Sequence, residues 1–519
     1  MVSARGGAQQ RLLASLGETT SRRFILQLLP LTALVASPAW AARWDVVPTV
    51  AVRETYTDNV SLTTDALKES DWVTQLIPGI SIKATGAGLR MNIDYAPEIT
   101  YYARGSKDNQ VFNRGNAFGV AELAKELFFL EVGGSVNQYD ISPQGPISIS
   151  NVNTTGNRAT VGTYYASPYF RRALGSAVQA EARFTYSGVN SDDNSALSSN
   201  VSDRVNLQLA SGPAFKLLTW NLAYSKERIH YDNDQDTDIE VATANAKRLI
   251  TSTIGLLAQA GYDYYRSGNQ LPASEGGSWS AGFDWTPTPR TRLAATAGRR
   301  FYGDTYLFDF KHRTRLTTWS AGYTQDVTTT RSEFFVPATT DTSGYLDTLY
   351  SSRFPDPAAR QKAVEDFIAR TGLPPSLSSP INFFTTQLFL SKRWQASTGI
   401  LGVRNVVLAN VFSERREGLA GDLVLPTAPN ATKQTGASMA WNWRMTARNS
   451  WNLAGAYSRI ETPSTGQIDH VTYVGMGFTR QFQPRLSGTL GYRRQQNDSN
   501  LATSDYTENA VFATLKIRF

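Results

Sequence analysis

The last ten residues, Ala510 to Phe519, constrain this chain more than any other stretch. Counting back from the end, Phe519, Ile517, Leu515, Ala513 and Val511 are apolar, while Arg518, Lys516 and Thr514 stand between them. A period of two is a β-strand with one greasy and one wet face. A chain that ends on such a strand must pair or cover both of its edges. Closing the sheet on itself, last strand against first, leaves no edge at all.

The ending Val511, Ala513, Leu515, Ile517, Phe519 resembles the assembly signal of Gram-negative outer-membrane β-barrels, in which a terminal aromatic follows outward apolar residues. A soluble antiparallel sheet that stops on Phe is the competing explanation, since alternation of this length also occurs there. The rest of the chain decides between them.

From Trp44 onward one element recurs. Val178, Ala180, Ala182, Phe184 and Tyr186 alternate with Gln179, Glu181, Arg183, Thr185 and Ser187; Trp220, Leu222 and Tyr224 alternate with Asn221, Ala223 and Ser225; Leu486, Gly488, Leu490 and Tyr492 alternate with Ser487, Thr489, Gly491 and Arg493. Such segments run about 10–13 residues, the length of a tilted strand crossing a bilayer, whereas sandwich strands average about five or six. Charged residues are expected almost wholly on the inner set. Their share of the chain is 18%, below the roughly 25% of soluble domains.

The connections alternate too. Short ones (Thr85–Gly88, Lys125–Glu126, Arg172–Gly175, Pro287–Pro289, Thr446–Asn449, Gln483–Pro484) take turns with long polar ones (Thr57–Asp71, Asp140–Arg158, Val189–Ser202, Tyr231–Ile239, Ser267–Gly277, Glu414–Ala431, Asp498–Asp505). This places the short set in the periplasm and the long set outside, with both ends of the barrel periplasmic. The expected fold is all-β: a transmembrane antiparallel β-barrel of about 22 strands, with about 18 as the lower bound. The uncertain parts of that count are Ala242–Ala260 and the hairpin Arg299–Arg315. Pro78, Pro97 and Pro168 fall inside expected strands, where a proline forfeits a ladder bond. They are expected at ends, bulges or the rims of the wall.

At the other end, Arg22-Arg23 precede the apolar run Phe24–Ala36, and Ala39-Trp40-Ala41 follows. Positive residues, a short apolar core and an A-x-A site read as a cleaved signal peptide, residues 1–41. Its run is shorter than the roughly 20 residues of a spanning helix. Ser21-Arg22-Arg23 faintly resembles a twin-arginine signal, but a barrel crosses the inner membrane unfolded and suits the general secretory route. Cleavage lowers the formal net charge from +7 to +4. The barrel domain is then residues 42–519. The chain has no Cys, so neither a lipid-anchored lipobox nor a disulfide is available. No basic block or helix-turn-helix points to nucleic acid.

Between residues 328 and 381 the alternation stops. Asp356-Pro357 followed by Ala358-Ala359-Arg360 reads as an N-cap with proline at N1. Ala363, Val364, Phe367 and Ile368 share one helical face, and Gly372 with Pro374-Pro375 closes the helix. Parity puts this helix-containing loop on the extracellular side. Val364, Phe367 and Ile368 require cover, from the lumen, from other loops at the mouth, or from a partner.

Glu54-Thr55-Tyr56-Thr57-Asp58-Asn59-Val60-Ser61-Leu62, at the end of the first strand, looks like the opening motif of the outer-membrane barrel family associated with exosortase (PEP-CTERM) systems. The stretches Asp356–Arg360 and Thr371–Pro374 fit that family as well, and with the terminal strand the resemblance covers essentially the whole mature chain. It implies an outer-membrane role near exopolysaccharide export or biofilm assembly. It supplies neither substrate nor site.

No H-E-x-x-H, G-x-S-x-G or Walker-type loop is present. The three histidines, His230, His312 and His470, lie on different strands. Ser225, His230 and Asp232 make the only forced triad, and Ser225 and His230 fall on opposite faces of a strand. No enzyme is expected. Asp232, Asp234, Asp236 and Asp238 form the one dense acidic stretch, and oxygen ligands at alternate positions suit Ca²⁺. The EF-hand frame fails, because Thr237 and Thr243 stand where its Gly and Glu belong. A solvated loop near lipopolysaccharide is the alternative. No other cofactor is expected.

The expected function is therefore a pore or export component in the outer membrane of a Gram-negative bacterium, tied to extracellular polysaccharide. A structural or adhesive barrel acting through its outer loops is the alternative, and a barrel enzyme is the weakest. Expected partners are outer-membrane lipid and lipopolysaccharide, the barrel assembly machinery and a polysaccharide export system. No globular plug is expected ahead of the first strand, and that expectation argues against an energy-coupled siderophore receptor.

Overall fold

The computed structural model describes residues 42–519 except 193–197, 234–235, 269–272, 420–430 and most of 336–383, where Leu346, Asp347, Tyr350, Arg360, Ala363 and Val364 are described. The expected signal peptide lies outside the described residues. In chain order the segments are β1 (Arg43–Thr57), β2 (Asp71–Thr85), β3 (Leu89–Tyr95), β4 (Glu98–Tyr102), β5 (Gln110–Phe112), β6 (Gly115–Ala124), β7 (Phe128–Asp140) and β8 (Arg158–Leu174). Next come β9 (Val178–Ser191), β10 (Asn200–Ser211), β11 (Leu218–Tyr231), β12 (Thr237–Leu249), β13 (Ile254–Ser267), β14 (Ser274–Thr288), β15 (Thr291–Arg300), β16 (Gly303–Arg313) and β17 (Thr317–Thr329). A helix, α1 (Thr330–Phe335), follows. The wall resumes with β18 (Leu388–Leu401), β19 (Asn405–Gly418), β20 (Ala431–Arg444), β21 (Asn449–Thr462), β22 (Gln467–Gln483), β23 (Leu486–Ser499) and β24 (Tyr506–Arg518).

Each strand pairs antiparallel with its chain neighbours, and β24 returns to β1 from Thr49↔Arg518 to Thr57↔Ala510. Phe519 N–H donates to Pro48 O at 3.0 Å, so the last residue completes the seam. The pieces β3 and β4 form one wall strand, as do β5 and β6, which makes a closed barrel of 22 strands. The prolines explain the break. β2 pairs with β4 over Val73–Leu76 and with β3 over Ile80–Thr85, so Pro78 and Pro97 share one gap where no N–H is needed. Pro168 sits where the β8–β9 ladder skips from Ala166↔Tyr186 to Tyr169↔Arg183. Both uncertain regions resolve as hairpins, β12 to β13 through residues 250–253 and β15 to β16 through Phe301-Tyr302.

Cross-strand register sorts every side chain into one of two faces. On β24, Val511, Ala513, Leu515, Ile517 and Phe519 point outward and are exposed, while Glu508, Phe512, Thr514 and Lys516 face the lumen. The outward face carries Val52, Leu76, Leu209, Leu222, Phe283, Met439 and Leu453, bordered toward the periplasm by Trp44, Trp285, Trp319, Trp443 and Trp451. An apolar band edged by aromatics, on a wall with no open edge, is the exterior of a Gram-negative outer-membrane barrel.

One expectation needs correction. Charge is not confined to the lumen: near the outer ends of β10–β13 and β18–β21, Lys226, Arg228, Asp238, Glu240, Arg266, Lys392, Arg415, Glu417, Lys433, Arg459 and Glu461 lie on the outward face. The strands outrun the hydrocarbon layer, and alternation in the sequence carries no information about depth.

Candidate functional site

The chain turns inward at the end of β17. Thr329 Oγ1 accepts the Ser332 amide at 3.0 Å, and Ser332 Oγ accepts the Thr329 amide at 3.1 Å. This reciprocal N-terminal cap starts α1 and aims it across the lumen. Arg331, 2% exposed, donates through Nε to Asn200 Oδ1 (2.6 Å), through Nη1 to Glu227 (3.3 Å), and through Nη2 to Ser187 O (3.1 Å) and Oγ (2.7 Å). Those partners belong to β9, β10 and β11. Two residues later Glu333 meets Arg416 of β19 at 3.0 Å, and Arg416 also binds Glu414, which Arg393 holds at 2.7 Å. Phe334 packs against Tyr139 and Phe384, over Ala159, Val161 and Val189. Six residues thus tie nearly opposite sides of the wall together.

Burial pushes the Glu333 carboxyl up to about 7, with nearby Glu414 adding to the shift while the Arg416 and Arg393 guanidiniums oppose it. Burial likewise lowers Arg331, against the pull of Glu227.

Deeper in the loop, Leu346, Tyr350 and Val364 are buried against Leu401, Val406, Leu408 and Ala440. These last four face the lumen near the periplasmic ends of β18, β19 and β20. The helical face expected at Val364, Phe367 and Ile368 therefore has Val364 inside the barrel, while Phe367 and Ile368 lie outside the described residues. Arg360 and Asp347 join at 2.7 Å within the insertion.

A second loop, residues 141–157, also enters the mouth. Asn153 donates to Glu508 at 2.8 Å and accepts from Arg493 at 3.1 Å, and Tyr506 donates to Ile147 O at 3.1 Å. Ile147 packs on Ile460 and Val471, and Val152 packs on Val60, Val73 and Tyr102. The two loops meet where Phe384 N–H donates to Ile141 O at 2.9 Å.

The sector β11–β17 is different. A cavity of about 690 Å³ runs along its lumen face past Asn221, Asn245, Gln259, Ser280, Thr296 and Thr324. Its charges are matched: Asp284 holds Lys247 at 2.6 Å and Arg292 at 3.2 Å, and Arg300 holds Asp263 and Asp326, each at 2.9 Å. Amides and hydroxyls in a charge-balanced wall offer hydrogen bonds in both directions to neutral, hydroxyl-rich solutes.

The acidic stretch is divided between other partners. Asp238 sits on the outward face of β12 between Arg228 (2.8 Å) and Arg266, Asp236 meets His230 at 3.1 Å, and Asp234 lies outside the described residues. Two guanidiniums occupy the Asp238 carboxylate that a calcium cradle would use. Among the described residues no group of three or more His, Asp or Glu could hold a metal ion. Ser225 faces the lumen and His230 faces outward, so the forced triad is not assembled. His312 pairs with Thr291 and His470 with Tyr457.

No protein-family model matches this chain, and no curated protein matches it. Solved structures share its architecture. The FrpB iron transporter from Neisseria meningitidis (F5-1 variant) aligns with a TM-score of 0.48 and 9% identity, over 92% of this chain and 83% of that one. The siderophore receptor PirA from Acinetobacter baumannii gives 0.46 and 10%, over 92% and 80%. The likeness is one of barrel architecture and extends no further.

Proposed function

We propose that this barrel is a gated conduit for neutral, hydroxyl-rich polymer or solute across the outer membrane, serving extracellular polysaccharide assembly. The division of the lumen carries this reading. An apolar sector at β18–β20 is covered by the entering loop, and a polar, charge-balanced sector at β11–β17 keeps a cavity against its lumen face. Saccharide hydroxyls match Asn, Gln, Ser and Thr, and a wall whose carboxylates Asp263, Asp284, Asp309 and Asp326 are each paired with a cation neither traps nor repels a neutral chain. The resemblance to exosortase-associated barrels supports the polysaccharide setting and makes an export system a proposed partner.

The test is conductance of the refolded protein in planar bilayers, with neutral oligosaccharides added to either side. A conducting barrel whose current is blocked by oligosaccharides and rises when residues 336–383 are removed is expected. A correctly inserted barrel that stays silent in both forms would favour the structural reading, which the cross-lumen contacts of α1 and of residues 141–157 support.

A further inference from the structure

Two charged rows on the outward face obey different rules. Across β10–β13 the lateral neighbours Asp203, Arg228, Asp238 and Arg266 alternate in sign. Such a row satisfies itself, since each charge faces an opposite one on the next strand. Across β18–β21 the corresponding row is Lys392, Arg415, Lys433 and Glu461. Three cations stand side by side, an arrangement that is unfavourable by itself.

The carboxylates nearby do not balance them. Glu417 reaches Lys392 (3.0 Å) and Arg415, and Glu461 reaches Lys433 (3.5 Å) and Arg459 (3.1 Å). Among the described residues, two carboxylates thus serve four cations, and the Arg415 side chain is 62% exposed. Asp498, opposite His470 on β23, is taken by Gln496.

The row's position defines what can complete it. Toward the periplasm on the same faces stand Trp394, Val411, Met439, Tyr457 and Leu453, all exposed, and the band ends at Trp443 and Trp451. The cations therefore sit just outside the hydrocarbon layer, at the outer leaflet, with Trp394 and Tyr457 next to Lys392 and Arg459, and Val411 and Met439 further down the same faces past Ser413 and Thr435. A ligand that fills both parts has an anionic head with several acceptor oxygens and acyl chains below it. Lys and Arg together suit a phosphate in that place.

We propose that Lys392, Arg415, Lys433 and Arg459 form a binding site for the lipid A phosphate of lipopolysaccharide, with its acyl chains lying on Trp394, Val411 and Met439.

The test uses the refolded full-length barrel in detergent, titrated with diphosphoryl lipid A, its dephosphorylated form, and inorganic phosphate, and read by the thermal unfolding midpoint. Diphosphoryl lipid A should stabilise the wild type saturably. R415A/K433A should bind it at least about tenfold more weakly, having lost two charge-assisted contacts. Without lipid, its midpoint should match or exceed that of the wild type, because the like-charge row is relieved. R228Q/R266Q, in the balanced row, should bind as the wild type does. E461Q, which removes a compensating carboxylate, should bind more tightly and keeps the test open if the double variant fails to fold. Unchanged binding by R415A/K433A, no gain with E461Q, or equal binding of dephosphorylated lipid A would overturn the proposal. Inorganic phosphate binding as tightly as lipid A would make this a free-anion site and would also overturn it.

Discussion

Arg331 and Glu333, two residues apart in α1, make their ion pairs on nearly opposite sides of the wall: Arg331 with Glu227 of β11 at 3.3 Å, Glu333 with Arg416 of β19 at 3.0 Å. Since the barrel's own hydrogen bonds run strand to strand, this tie is separable from the wall. The proposed gating requires that the helix leave without opening the sheet, and this separation of contacts is what that would need.

Arg331→Ala removes four hydrogen bonds to β9–β11 at once. Breaking a buried ion pair from one side costs about 3–5 kcal/mol. Here the lower end applies, because Arg204 and Ser202 still hold Glu227. Single-channel recording should show longer or larger openings than in the wild type, with the thermal midpoint of the wall little changed. Identical traces would mean that α1 does not control the path.

In the proposed gate, Glu333 gives the docking of α1 a pH dependence with a definite sign. Its carboxyl rises from 4.5 to about 7 on docking, mainly through burial with Glu414 adding, while Arg416 and Arg393 oppose. Docking therefore takes up a proton. Its contribution is fully present below pH 4.5 and is lost as pH climbs through about 7, at up to about 1.4 kcal/mol per unit. Conductance should increase from pH 5 to pH 8. In Glu333→Gln, which stays neutral, that increase should disappear. A wild-type conductance that falls with rising pH would contradict the assignment.

Val364→Asp tests the deeper contact. Val364 is 2% exposed among Leu346, Tyr350, Leu401, Val406, Leu408 and Ala440. An unpaired carboxylate there costs several kcal/mol, so the insertion should leave the apolar sector. Larger conductance and faster cleavage of residues 336–383 by protease added outside are expected, with the barrel itself still resistant.

Which parts of this were legible in the sequence follows from the period of each signal. Strands of a closed barrel repeat every two residues, so their faces and the count of 22 could be read from segments such as Val178–Ser187. Pro78 and Pro97 looked like obstacles singly and make sense only as a pair across one gap. The α1 strap was not readable: Thr330–Phe335 is too short for helical periodicity, and partners such as Ser187 and Glu227 are distant in the chain. Nor was the inward path of residues 141–157, whose polar composition suits a solvated loop equally well. The Thr329–Ser332 cap was the one available local sign.

The terminal strand yields the last prediction. Leu515 and Ile517 point outward, exposed by 55% and 42%, and pair with Val52 and Val50 across the seam. They lie within the apolar band, so aspartate at both positions places two charges against lipid. At mid-membrane one such charge costs about 2–4 kcal/mol for Lys or Arg and somewhat less for Asp. Phe519 contributes differently, through its amide bond to Pro48 O and an exposed ring at the periplasmic rim. The double Asp variant, and separately the chain lacking Phe519, should fail to reach the outer membrane and be degraded in the periplasm. The double variant should fail more completely, because deletion of Phe519 leaves the register from Thr49↔Arg518 to Thr57↔Ala510 intact. Membrane fractionation with heat-modifiability on gels reads both. Wild-type levels of folded, inserted L515D/I517D would mean that this face does not meet lipid.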